Sequence, residues 1–135
     1  QKYAPADAVL RRFIPRAGER LGAESRAAAV WALGVLHEGK DAPDLAGPLL
    51  ARLKDVRSIP PEFTEVRRMS AVTLGRMKAR EALDTLRHFD FARKPTDDPV
   101  GNACGWAIAR LTGEAVPPPE TVRIVQRDWF LVPYE

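Results

Sequence analysis

The chain has 135 residues, 45% hydrophobic and 29% charged, with a mean hydropathy of −0.27 and a formal charge of +3 from 21 basic and 18 acidic residues. That composition describes one domain able to bury a core and excludes a disordered or fibrous chain. No apolar run approaches the roughly 18–20 residues of a membrane helix, the lone Cys104 excludes a disulfide framework or multi-cysteine zinc site, and two histidines leave little for metal or acid–base chemistry.

In chain order, the first amphipathic stretch is 6–21, with Val9, Leu10, Phe13 and Ile14 apolar and a break at Pro15. It predicts one kinked helix, or two short ones, packing as a leading layer. Residues 24–36, ESRAAAVWALGVL, predict a helix with Ala29, Val30, Leu33 and Leu36 in one stripe. Ala27, Ala28 and Ala32 leave its other faces small, so neighbours can come close on several sides. Residues 44–54 predict a helix with Leu45, Leu49, Leu50 and Leu53 together, and a start at Pro48 would put that proline at the favourable first position. The segment 55–64, with Pro60-Pro61, is a breaker from which Pro61 starts the next helix, Glu62 and Glu65 lying near its positive end.

Residues 65–77, EVRRMSAVTLGRM, form the third strong helical pattern, and Lys78 is a short link to 79–89, where Ala82, Leu83, Leu86 and Phe89 share a side. A second breaker, 92–99, leads into VGNACGWAIARL at 100–111, with Pro99 at the first helical position and Asp98 beside it. Gly113 closes that helix, and Pro117-Pro118-Pro119 forbids another immediately. From Thr121 the pattern reads as extended. Trp129, Phe130, Leu131, Val132 and Tyr134 then make the densest apolar patch of the chain.

The helical patterns repeat. At an offset of 41, Glu24, Arg26, Leu33 and Gly34 match Glu65, Arg67, Leu74 and Gly75, with Leu36 opposite Met77. At a further 34, Val100 answers Val66, Cys104 answers Ser70 and Ala29, Ile108 answers Leu74, and Trp106 answers Trp31 with Val72 between them. A helical glycine costs about 1 kcal/mol of propensity, so its recurrence at 34 and 75 points to close packing or a nearby helix end.

A period of 34–41, helix–turn–helix units and the string V-R-x-x-A/S-x-x-x-L-G resemble the HEAT-repeat family, in particular the short bacterial type called PBS-lyase-like HEAT repeats. The residues carrying the resemblance are Ser25-Arg26, Ala29, Ala32-Leu33-Gly34, Val66-Arg67, Ser70, Leu74-Gly75 and Ala82, over about residues 24–112. Gly101 replaces the arginine in the third copy and no second helix follows, so the array ends there. The resemblance implies an all-α, right-handed α-solenoid of helical hairpins in a single domain. Its parts would be a leading helix over 6–21, repeat one over 24–54, repeat two over 61–89, a trailing half repeat over 99–112 and a capping tail over 113–135. It also implies a non-catalytic scaffold for another protein, or for another domain of the parent chain.

Residue by residue, the chemistry-bearing candidates are few. No GxSxG, P-loop, HExxH, CxxC or EF-hand pattern occurs, so neither an enzyme nor a cofactor is expected. His37-Glu38 is the one His-Glu pair, too little for a metal site, and His37 reads as a solvent-facing or capping residue. Cys104 aligns with Ala29 and Ser70, where a small buried side chain belongs. Trp31 and Trp106 are equivalent and read as packing between repeats, with groove anchors as the sharper alternative. Arg67 and Arg68, with Arg76, Lys78 and Arg80, form a basic cluster flanked by Glu62, Glu65, Glu81 and Asp84, which reads as an ion-paired face. Nucleic-acid binding through Arg26, Arg67 and Arg68 is the disfavoured alternative. Arg67, Arg68, Trp129, Phe130 and Tyr134 are the candidate partner-binding residues. The tail reads as a fold-back cap on the open end of the array, with a docking peptide as its alternative. Sixteen of the basic residues are Arg, which with the many alanines suggests a GC-rich bacterial source. The start at Gln1 suggests an excised domain or a mature exported chain, and compartment and oligomeric state are left open.

Overall fold

A computed structural model describes residues 4–16, 22–90 and 98–115. Among these the protein is all-helical: α1 (Ala4–Arg11), α2 (Ala23–Leu36), α3 (Pro43–Lys54), α4 (Thr64–Met77), a 3₁₀ turn (Arg80–Ala82), α5 (Leu83–Phe89) and α6 (Pro99–Thr112). The tail residues Trp129, Phe130 and Tyr134, and the cap expected of 113–135, lie outside the described residues beyond 115.

Three helices of 14 residues form a row, α2 packing on α4 and α4 on α6. α3 comes closest to α4 and α5 to α6, so each shorter helix seats mainly on the long helix that follows it; α1 lies on α2. The core between them contains Val30, Leu33, Leu45, Leu49, Leu53, Leu74, Met77 and Leu86, all fully buried. Each such side chain contributes about 1.5–3 kcal/mol of burial free energy.

The recurring glycines sit where the long helices cross. A Cβ on Gly34 would stand 2.8 Å from Thr73 Oγ1 and 3.2 Å from Thr73 Cα, and one on Gly75 2.8 Å from Ala107 Cα. Close packing, one of the two sequence expectations, is therefore the reason for both. At the first crossing the Thr73 hydroxyl also donates to the Val30 carbonyl at 2.8 Å, which satisfies a buried polar group between helices.

Three boundaries differ from expectation. The leading helix ends at Arg11, not at Pro15 or beyond, and Arg12, Phe13 and Ile14 continue in tighter bonds to the carbonyls three residues back. Pro15 disfavours helical geometry at Ile14, and the carbonyls of Phe13 and Ile14 accept from the buried Arg26. α3 starts at Pro43, not Pro48. Pro48 is tolerated inside it because Pro48 and Asp44, whose carbonyl loses its partner, are both exposed and open to water. α4 starts at Thr64, not Pro61, because Glu62 is drawn into the interior as a counterion.

Helix ends follow local chemistry. Asp98 caps α6, its Oδ1 accepting from Val100 N at 2.9 Å with Pro99 at the first position, and Gly113 closes the helix at φ 80°. Lys78 closes α4 in the left-handed conformation, φ 57°, with Ala79 N reaching back to the Leu74 carbonyl.

Candidate functional site

The repeated arginines are structural. Arg26 is 4% exposed, and its guanidinium meets the Glu62 carboxylate at 2.6 and 2.7 Å and the carbonyls of Phe13 and Ile14 at 3.1 and 2.9 Å. Arg52 adds a third cationic contact to Glu62 at 3.2 Å. Burial pushes the Glu62 carboxyl upward, but the Arg26 hydrogen bonds, the Phe63 N–H and the Arg26 charge outweigh it and hold it below the usual range. Arg67, one repeat later, is half-buried: its Nε donates to the Leu53 carbonyl at 3.0 Å and its guanidinium lies 5.2 Å from the Phe89 ring centre. Both arginines thus tie a long helix to the C-terminal end of an earlier segment. Arg26 is removed from any surface role, and Arg67 is committed inside the fold. Of the basic residues invoked for phosphate binding, Arg68 is the one exposed on α4.

His37 closes α2, and its Nε2 lies 2.7 Å from Asp7 Oδ1, clamping α1 to the end of α2. Glu38 turns instead to Arg110, so the two residues do not converge. Among the described residues no group of three or more His, Cys, Asp or Glu side chains is placed to hold a metal. Cys104 is fully buried, as its alignment with Ala29 and Ser70 requires. Burial, chiefly, with Asp90 adding to it, pushes its thiol up to about 12, far from a reactive thiolate.

The exposed face of the α2–α4–α6 row carries a different set. Helical spacing aligns Ala28, Trp31 and Val35 on α2, Arg68, Val72 and Arg76 on α4, and Asn102, Trp106 and Arg110 on α6. Trp31 is 47% and Val35 42% exposed. The core reading of Trp31 is therefore corrected: Gly34 brings α4 against α2, and the indole beside that crossing is left facing outward. Trp106 is half-buried, and Gly75 makes room for it: a Cβ there would approach Trp106 Cζ3 to 3.2 Å. Arg76 lies over the Trp31 ring at 5.7 Å and Arg110 over the Trp106 ring at 5.4 Å, both within cation–π range. Arg110 also donates to Glu38 at 3.0 Å.

Arg110 escaped the sequence reading, and Arg76 entered it as part of an ion-paired basic cluster and not as the partner of Trp31, although the signal was there. The offset of 34 that pairs Val72 with Trp106 pairs Arg76 with Arg110 one turn on.

Elsewhere, an open groove of about 500 Å³ lies between 54–58 and α5, with Lys54, Arg57, Asp84, His88 and Phe89 in its wall. Its charges are of both signs, and Asp55 is already engaged by Ser58 and Arg16. No convergent set forms there. No family model, curated protein or solved structure matches the chain.

Proposed function

We propose that this chain is a non-catalytic protein-interaction module, a short right-handed α-solenoid of HEAT type from a larger bacterial protein, that docks another protein or another domain of its parent chain on the α2–α4–α6 face. The observation that carries this reading is the placement of Trp31 and Trp106 on one exposed side of the row, each under an arginine. Tryptophan and arginine dominate the energetics of protein interfaces because each buries a large area and keeps a polar handle. The succession α2–α4–α6 with α3 and α5 behind it, and the glycines at both crossings, support the repeat-array reading.

Nucleic-acid binding is the weaker reading, since Arg26 and Arg67 are occupied internally. Site-specific photo-crosslinking tests the proposal. A crosslinker replacing Val35 yields discrete protein adducts, and one replacing Ala51, exposed on α3, does not. Adducts from Ala51 alone would place the interface elsewhere.

A further inference from the structure

We propose that Trp31, Arg76 and Arg68 form a receptor for carboxylate side chains, so that the partner of this face is a protein segment rich in Asp or Glu. This rests on reading the α2–α4–α6 face as a docking surface, and it deepens that reading by naming the chemistry of the occupant.

The face carries the same construction twice. At Trp106 the stacked guanidinium of Arg110 is closed by a carboxylate, Glu38, at 3.0 Å. At Trp31 the guanidinium of Arg76 stacks in the same way, yet no carboxylate among the described residues comes within ion-pairing distance of it. The Nε of Arg76 is buried and has no hydrogen-bond acceptor among the described residues. A donor withheld from water and left unbonded is destabilising. The guanidinium is thus partly desolvated before any partner arrives, which lowers the further cost of pairing it. Its planar fork suits a carboxylate held by two N–H groups, and the Trp31 ring holds the guanidinium by a cation–π contact.

Arg68 lies two turns earlier on the same stripe of α4, exposed, and Val72 between them is half-buried. An acidic segment crossing the face would meet Arg76, then an apolar step over Val72 and Trp31, then Arg68. Glu38 on Arg110 is the internal precedent for that contact.

A phosphodiester backbone fits less well. Strong nucleic-acid binding draws on roughly six to ten phosphate contacts, whereas Arg68 and Arg76 are the arginines on this face without a carboxylate partner among the described residues.

The test is a selection of random short peptides displayed on phage against the whole chain, followed by fluorescence anisotropy with the selected peptides and with a single-stranded DNA oligonucleotide at physiological salt. The expected result is Asp and Glu enrichment over the starting library. Affinity then falls on the order of tenfold with Trp31→Ala and with Arg76→Gln, and less with Arg76→Lys. It falls likewise when the peptide's Glu residues become Gln, and it is unchanged by Arg57→Gln in the other groove. Trp31→Ala removes a half-exposed ring and keeps the test usable should Arg76→Gln unfold, which circular dichroism checks. Selected peptides that depend on Trp31 but carry no acidic excess would overturn this inference and leave the docking face standing. Peptides indifferent to Trp31→Ala, or none at all, would overturn both. Oligonucleotide binding that requires Arg76 would replace the acidic segment with a nucleic acid.

Discussion

Replacing Gly75 with alanine inserts a methyl group into the crossing of α4 on α6. An ideally placed Cβ there lies 2.8 Å from both Cα and Cβ of Ala107 and 3.2 Å from Trp106 Cζ3. Because Ala107 Cα is backbone, relief requires the helices to part, by 0.6 Å to bring 2.8 Å to the 3.4 Å at which ordinary contact begins. Overpacking of this kind costs about 1–3 kcal/mol, against which removal of a helical glycine returns about 0.5–1 kcal/mol. Ala28→Gly, at an exposed position inside α2, is the control, since it loses the propensity term that Gly75→Ala gains. That term cancels when the two changes in stability are added, so their sum should be the overpacking cost, a net loss of about 1–3 kcal/mol. Urea unfolding followed by far-UV circular dichroism measures both. A sum near zero would refute the close approach of α4 and α6 at Gly75, and with it the ordering of the row.

Other consequences follow from particular residues. Lys78 holds a left-handed conformation at φ 57°, so Lys78→Gly should raise stability by about 1 kcal/mol with an unchanged urea m-value. Glu62→Ala leaves Arg26 buried without its counterion and should cost about 3–5 kcal/mol; adding Arg26→Met should recover most of that in a double-mutant cycle. The carboxyl of Glu62 is depressed for the reasons given above. Asp7 is depressed too, burial raising it but its bonds to His37 and Arg11 prevailing. Groups with depressed folded values contribute stability that is fully present above the unfolded carboxylate values, about 4–4.5, and lost as pH falls through the folded ones. Unfolding free energy should accordingly decline below about pH 5, with a shallower decline in Glu62→Gln. A flat profile in acid would contradict the buried pair. Cys104, fully buried with its thiol pushed up to about 12, should react with a thiol reagent only as fast as the domain opens, and at once in denaturant.

The long helices were legible in the sequence because their apolar and small residues recur at helical spacing. Periodicity placed 24–36, 65–77 and 99–112 within a residue of α2, α4 and α6. Gly34 and Gly75 announced the crossings through the conformational cost that a helix does not accept twice without cause. The buried role of Arg26, read in the sequence as a repeat residue and otherwise only in the disfavoured nucleic-acid alternative, was not legible because its partner Glu62 lies 36 residues away, and nothing in helical spacing distinguishes an arginine with a buried counterion from one in water. The same long-range pair explains why Pro61 does not open α4. Trp31 was misread for the converse reason. A large apolar residue among alanines reads as core, whereas the tight crossing at Gly34 fills that space with Thr73 and leaves the indole outside. Of the residues first singled out for a partner, Arg68 belongs to the exposed face, Arg67 is turned inward, and Trp129, Phe130 and Tyr134 lie outside the described residues.

The α2–α4–α6 face is the proposed meeting place of this chain and its partner. The most direct measurement is the affinity of the protein captured by crosslinking from Val35, determined by calorimetry for the wild-type chain, for Trp31→Ala and for Arg57→Ala. Trp31→Ala should bind on the order of tenfold more weakly and Arg57→Ala as tightly as the wild type. Undiminished binding by Trp31→Ala, in a variant that circular dichroism shows to be folded, would contradict a partner on this face.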